Sequence, residues 1–283
     1  MEDNRKREIQ LEYTIIAGVN GSGKSTIYHS GILDSQNMGI RINVDELIQK
    51  EYQNKWNDKM IQMEAGLRIV KQINDCLDNG KSFNQETTLS GGTTFYTIKR
   101  AKEKGFKISL YYIGLENVEL SIQRVRERVD KGGHGIDRET LLNRYRISLN
   151  NLKEAVRLCD NVVIYDNSRN FEKTLDVRDN TLRYCAKVIP DYYKEILTPY
   201  IQEKKKETFL KDLKENGFQN TDNIQKNYDK LSRRNVATLN EIHDICKGLI
   251  EVSAETKEIA DKIGKELKGQ EIQNQKNMMP EVF

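Results

Sequence analysis

The chain has little that would tie it to an oxidising compartment, a membrane or a nucleic acid. Its four cysteines, Cys76, Cys159, Cys185 and Cys246, lie far apart, with no C-x-x-C pair and no metal-ligand spacing. Reduced thiols in a cytosolic protein are the plain reading. Neither sign of charge dominates: 31% of residues are charged, yet the formal balance is only +3. A nucleic-acid footprint needs a basic stripe, and the run Lys204-Lys205-Lys206 reads instead as a solvated helix face. Aromatic-basic stacking stretches and a second motor domain are also missing, which argues against a helicase or motor. No apolar run long enough for a signal peptide follows the charged start at 1–7, and no window approaches a membrane span. The 283 residues leave room for a real core, in one large domain or one domain with an appendage.

What is present is concentrated in Gly18-Val19-Asn20-Gly21-Ser22-Gly23-Lys24-Ser25-Thr26. This stretch fits G-x-x-x-x-G-K-[ST], a phosphate loop whose backbone N–H groups wrap the phosphates of a nucleotide such as ATP. Lys24 would reach the β- and γ-phosphates, and the Ser25 hydroxyl would hold Mg²⁺. Before it, Tyr13-Thr14-Ile15-Ile16-Ala17 is a short strand signal; after it, residues 26–30 can open a helix whose N-terminus attracts anions. That context favours a phosphate site over a glycine turn that binds nothing.

The next segments alternate between strand and helix patterns. Residues 39–45 read as a second strand ending on Asp45, and 58–76 as a helix with Ile61, Ala65, Ile69 and Ile73 at helical intervals. Asn79-Gly80 stops that helix, residues 83–88 form a third strand end, and a helix over 94–104 ends at Gly105. Residues 107–113 are an apolar strand of the kind buried in a parallel sheet. A helix over 119–129, with Ile122, Val125 and Val129 inward, gives way to Gly132-Gly133-His134-Gly135. A helix over 138–158 and a last strand at 161–166 complete the pattern. The expected class is α/β: a parallel sheet covered by helices on both faces, with ligands at the carboxyl ends of its strands.

Past about residue 196 strand signals vanish, so the expected division is a domain at 1–196 and a helical extension at 197–283. From Ile242, the positions Ile245, Leu249, Val252, Ile259 and Ile263 keep a three-four spacing, with Thr256 filling one gap. Such a helix packs on its own domain or pairs with another chain, and the spacing does not choose. The polar stretch from Gly269 is expected to fray.

Several residues at the strand ends can carry chemistry. Asp45 could accept the proton of an attacking hydroxyl, or cap the helix beginning at Glu46, or do both. Glu86 and Thr88 could grip polar groups of a substrate, with an ordinary turn as the alternative. Arg124 and Arg128 share a helix face; from spacing alone an exposed, salt-bridged face is the favoured reading, and stabilising a transferring phosphoryl group is the other. Gly132 and Gly133 could hinge a lid, with His134 as a lid contact or surface residue rather than a metal ligand. Asp166-Asn167-Ser168 could line an adenine pocket or make a turn.

Together these segments resemble the zeta-toxin-like small-molecule kinases. The pieces occur in family order: Gly18 to Thr26; Asn43-Val44-Asp45; Ser82-Phe83 with Glu86-Thr87-Thr88; and Ala101-Lys102 before Gly105-Phe106. They continue with Arg124-Val125, Arg128-Val129, Gly132-Gly133-His134, Arg144-Tyr145 and Asp166-Asn167-Ser168, over about two-thirds of the chain. The resemblance implies an ATP- and Mg²⁺-dependent kinase with a phosphate-loop fold close to shikimate kinase. It also implies a nucleotide-sugar acceptor such as UDP-N-acetylglucosamine, and toxicity within a toxin–antitoxin pair; the alternatives are a kinase of another metabolite or dinucleotide hydroxyl and an ATP-dependent switch acting through the C-terminal helices. By matching position Asp45 would be the general base, Glu86 and Thr88 would hold substrate, and Arg124, Arg128 and Arg144 would face the phosphates from the lid side. The chain departs from the family at Asp137, where the lid often has proline. The carboxyl-terminal helices lie outside the resemblance; they would inhibit the site, bind an antitoxin or self-associate.

Overall fold

The computed structural model describes residues 10–33, 37–56, 58–218, 222–232, 239–247 and 250–278. Strand β1 (Glu12–Ala17) is buried almost throughout and sits mid-sheet, with Ile15 and Ile16 fully buried. It is flanked on one side by β3 (Phe83–Thr87) and then β2 (Ile40–Ile42). On the other side lie β4 (Lys107–Gly114) and β5 (Asn161–Asp166), and all five strands are parallel. The register puts Ala17 beside Thr87 and Tyr112, and Gly114 beside Asp166, so the carboxyl ends form one edge. The chain leaves β1 toward β2 and β3 and later returns to its other side, which opens a crevice at the end of β1.

Residues 161–166 are not the last strand. β6 (Glu172–Arg178) runs antiparallel to β5, and β7 (Thr181–Cys185) follows through Asp179-Asn180, both in left-handed backbone at φ 49° and 58°. A two-residue turn of that conformation matches the twist of a hairpin. Charged residues interrupt the apolar signal of β6: its buried Asp176 is neutralised by Lys173 at 3.0 Å and Arg178 at 2.7 Å.

Several helices begin where short polar side chains cap them. Asp58 accepts from the Met60 and Ile61 amides to start α3 (Lys59–Asp78), after α1 (Lys24–His29) and α2 (Val44–Glu51). Beyond α4 (Thr93–Glu103), which like α1 starts at a glycine with no side-chain cap, Asn117 caps α5 (Val118–Asp130) and Asp137 caps α6 (Arg138–Leu158). Ile122 and Val125 of α5 pack on Leu141 of α6, but Val129, expected inward, is 44% exposed. Each large side chain fully buried in this core stabilises it by about 1.5–3 kcal/mol.

Contacts divide the chain into two compact units, one of residues up to 179 with 183–197, the other of 180–182 with 198 onward. The second contains most of α7 (Asp191–Glu215) with α8 (Asp222–Ser232), α9 (Leu239–Cys246) and α10 (Ala254–Met278). Its core joins Phe209, Tyr228, Ile242, Ile245, Ile259 and Ile263, with the Phe209 and Tyr228 rings stacked at 3.9 Å. The apolar seam read from the sequence is therefore used inside its own unit. It is also not one helix: Ser253 Oγ accepts from the Thr256 amide and starts α10 afresh. Leu249 lies outside the described residues. Helix α10 continues past Gly269 to Met278, where fraying was expected. Lys204, expected on a solvated face, is buried, with its ammonium on Glu207 and Asn180. Among the described residues no helix is long and apolar enough to cross a membrane.

Candidate active site

The phosphate loop links β1 to α1 and lies at the sheet's carboxyl edge. At Gly18 a Cβ would come within 2.1 Å of the Ile113 carbonyl, and at Gly23, with φ 91°, within 2.6 Å of the Asn167 amide nitrogen. Only glycine fits this close approach and handedness. Neighbouring elements fix the loop: Ser121 Oγ donates to the Asn20 carbonyl at 2.7 Å and Asn167 Nδ2 to that of Ser22 at 2.9 Å. The segment 166–168 thus braces the loop, with Ser168 turned back on Asp166.

Lys24 is buried, and its ammonium donates to the Val19 carbonyl at 3.0 Å. Burial lowers its pKa from the ordinary lysine value, while the nearby charges of Glu86 and Asp45 oppose that shift. A buried cation at a phosphate loop is a site made for an anion.

Glu86, at the end of β3, is gripped from three sides. Arg41 Nη2 donates to it at 2.5 Å, Asn43 Nδ2 at 2.9 Å, and Ser25 Oγ at 3.0 Å. Arg41 also reaches Glu46 and Asn84 and lies 3.9 Å over the Tyr28 ring. Arg41 escaped the sequence reading because it sits on β2, with no motif around it. Asp45 is neither a strand end nor the cap: β2 stops at Ile42, and the Asn43 side chain accepts from the Asp45 and Glu46 amides. Asp45 stands in the first turn of α2, and among the described residues its carboxylate makes no hydrogen bond or ion pair. Thr88 shares a 2.7 Å hydrogen bond with Ser90, just beside Leu89 in left-handed backbone at φ 57°.

Three arginines meet this edge from α5 and α6. Arg124 donates to the Gly21 and Ser168 carbonyls, Arg128 to the His134 carbonyl at 2.6 and 3.0 Å, and Arg144 to Asn20 Oδ1 at 3.4 Å. The exposed, salt-bridged face favoured for Arg124 and Arg128 is not what forms; among the described residues the ion pair here is Arg138 with Glu119. Gly132 and Gly133 close α5, their amides bonding to the Val129 and Arg128 carbonyls. Asp137, the departure from the family, caps α6 by accepting from the Thr140 amide at 2.8 Å, and hydrogen bonding from the Thr140 side chain first, then from its amide, holds the carboxyl below the usual range.

A cleft of about 980 Å³ collects these groups. Lys24, Ser25, Thr26, Asn20, Gly21 and Gly23 line it with Asp45, Glu86, Thr88, Arg124, Arg128, Arg144 and His134. Gly18, Val19, Ser22, Gly132 and Gly133 do not. Trp56 and α3 residues from Lys59 to Ile73 form another wall, which the sequence reading did not anticipate.

Fold and loop define a phosphate-loop protein of the α/β class. The zeta toxin family model matches residues 2–176, and the chain belongs to that family. It is an ATP-dependent phosphotransferase with an alcohol group as acceptor. An uncharacterized protein of Haemophilus influenzae is 31% identical over 143 residues, 48% of this chain and 94% of that one. Among solved structures, the complex AvrRxo1-ORF1:AvrRxo1-ORF2 with sulphate ions is similar in fold, with a TM-score of 0.51 and 15% identity over 70% of this chain and 72% of that one. A structure from the PezAT chromosomal toxin–antitoxin system of Streptococcus pneumoniae gives 0.46 and 18%, over 59% and 72%.

Proposed function

We propose that the acceptor is a sugar hydroxyl of a nucleotide sugar such as UDP-N-acetylglucosamine, and that the protein is the toxin of a toxin–antitoxin pair acting in the cytoplasm. The observation that carries the reading is the free Asp45 carboxylate in the same cleft as buried Lys24 and three arginines. Asp45 takes the proton of the attacking hydroxyl, and the loop amides with Lys24 hold the phosphates of ATP. Arg124, Arg128 and Arg144 balance charge on the transferring phosphoryl group.

Magnesium fits the donors here. A hydroxyl and a carboxylate, Ser25 and Glu86, lie 3.0 Å apart, and hard cations take oxygen ligands of this kind. Among the described residues no group of three or more His, Cys, Asp or Glu could hold a metal, so an ion held by Ser25 and Glu86 would draw its remaining ligands from the nucleotide and solvent. The ion neutralises phosphate charge when bound. Glu86 serves it through Ser25, and Thr88 is left to meet the acceptor.

The helical extension at 197–283 acts, in this reading, as a regulatory or partner-binding element through its outer surface. Its deletion without effect on ATP turnover or growth would count against that role.

The deciding experiment is phosphoryl transfer from ATP-Mg²⁺ to UDP-N-acetylglucosamine, followed by mass spectrometry. Asp45→Asn should lower kcat by about 10²–10⁴-fold with ATP binding kept. Lys24→Ala should lose nucleotide binding. No phosphorylated product, with ATP still bound, would refute the proposed acceptor and send the search to other hydroxyl metabolites.

A further inference from the structure

One corner of the cleft is not used by the groups that handle phosphate. Trp56 and His134 both line it, with ring centroids 6.0 Å apart and planes 30° from parallel. Among the described residues, buried Trp56 Nε1 and buried His134 Nδ1 have no hydrogen-bond partner. An indole N–H can only donate, so it needs an acceptor atom that the described residues do not supply there. Burying an unsatisfied donor is costly, and native proteins rarely do so without reason.

The chain goes to some length to put Trp56 there. Gln53 and Asn54, in the loop between α2 and α3, both hold left-handed backbone at φ 52° and 64°. Strain of this sort persists where surrounding structure enforces it. The Trp56 amide then donates to the Asn54 carbonyl at 2.8 Å, and the Gln62 side chain holds the Trp56 carbonyl from α3. On the other side Arg128 grips the backbone of His134 with two hydrogen bonds. Burial lowers the His134 pKa and Arg128 and Arg144 push it the same way, against Asp45. The imidazole is therefore neutral near pH 7, with one donor and one acceptor nitrogen. His134 feels the charge of Asp45 as well as those of Arg128 and Arg144, so this corner adjoins both the candidate base and the arginines.

We propose that Trp56 and His134 recognise the acceptor, taking the flat ring of its nucleobase and hydrogen-bonding to an acceptor atom on that ring's edge. The inference rests on the nucleotide-sugar reading above and assigns the end of the substrate that does not react. A stacked aromatic pair presents a ring face, which a heterocycle covers better than a sugar ring studded with hydroxyls. A uracil-type base has the carbonyl oxygens that an indole N–H requires, and being uncharged it suits a neutral imidazole.

Trp56 is the sole tryptophan of the chain, so its emission reports this corner directly. The full-length protein, saturated with a non-hydrolysable ATP analogue and Mg²⁺, is titrated with UDP-N-acetylglucosamine, UDP, NAD and N-acetylglucosamine 1-phosphate. At least one base-bearing probe should shift the emission, and the sugar phosphate should not. In steady-state assays Trp56→Phe, which keeps a ring and removes the N–H, should raise the acceptor KM about tenfold with kcat and the ATP KM unchanged. An emission change from the ATP analogue alone, or from the sugar phosphate but no base-bearing probe, overturns the proposal. So does silence from every base-bearing probe. The two readings fail separately. Transfer to UDP-N-acetylglucosamine with an unmoved Trp56→Phe KM sinks this corner and leaves the kinase reading intact. An emission shift with UDP but no transfer to the sugar nucleotide sinks the acceptor and leaves the corner.

Discussion

Arg41 is the residue whose removal tests the wiring of the cleft most sharply. Its side chain is 14% exposed and its partner Glu86 10%, so the pair is close to fully desolvated. Truncating Arg41 leaves the Glu86 carboxylate with only the Asn43 amide and the Ser25 hydroxyl. Removing one member of a buried pair costs about 3–5 kcal/mol, and the two surviving donors reduce this to about 2–3 kcal/mol. With about 2–4 °C lost per kcal/mol in a unit of this size, Arg41→Met should lower Tm by roughly 4–12 °C. Thermal unfolding of the ligand-free protein, followed by Trp56 emission, reads the unit that contains the pair. The double variant Arg41→Met/Glu86→Gln removes both charges and should recover much of the loss, with a coupling of about 1–3 kcal/mol. A single variant within about 0.5 kcal/mol of the parent would refute the argument, as would a double variant no better than the sum of its singles.

Lys24 titrates below the ordinary lysine value when folded, so between its folded and unfolded pKa the unfolded chain binds more protons. Stability of the ligand-free protein should therefore rise with pH across that alkaline window, and Lys24→Met should abolish the rise. Phosphate favours the charged form, so nucleotide binding should take up protons there and weaken as pH increases, which calorimetry in buffers of different ionisation enthalpy would read. Gly23→Ala places a Cβ at φ 91° and 2.6 Å from the Asn167 amide. It should lose nucleotide binding by at least tenfold, and unchanged binding in an equilibrium titration would show that the loop tolerates the shift.

The helix-covered, largely parallel sheet was legible because β1, β4 and β5 carry apolar centres that a sheet covered on both faces buries. The phosphate loop was legible because its glycines answer to close backbone approaches that no other residue allows. The β6 and β7 hairpin was not, since Asp176 and Thr174 face inward and break the apolar pattern. Asn43 rather than Asp45 caps α2, and both residue types make good caps, so the sequence could not rank them. The arginines were readable as a face but not as carbonyl donors, because their partners, Gly21, Ser168 and His134, come from loops distant in sequence. Trp56 sits in a loop with no motif, and what singles it out is an indole N–H with no partner among the described residues, which shows only in the folded chain.

Departures from local rules gather around this one cleft, and that distribution is itself informative. Among the described residues five that are not glycine hold left-handed backbone: Gln53, Asn54, Leu89, Asp179 and Asn180. Asp179 and Asn180 form a hairpin turn, where the conformation is ordinary. The other three border the cleft: Leu89 stands between Thr88 and Ser90, which line it, and Gln53 and Asn54 precede Trp56, which does. Leu89 is the extreme case, a bulky residue at φ 57° that is fully buried and held by Asn151 on its carbonyl. A buried lysine whose charge burial opposes and two buried nitrogens with no hydrogen-bond partner among the described residues line the same cleft. Each feature costs stability, and a fold under no functional demand would relax them one at a time. Their gathering around this cleft places the demand where phosphate and acceptor would meet.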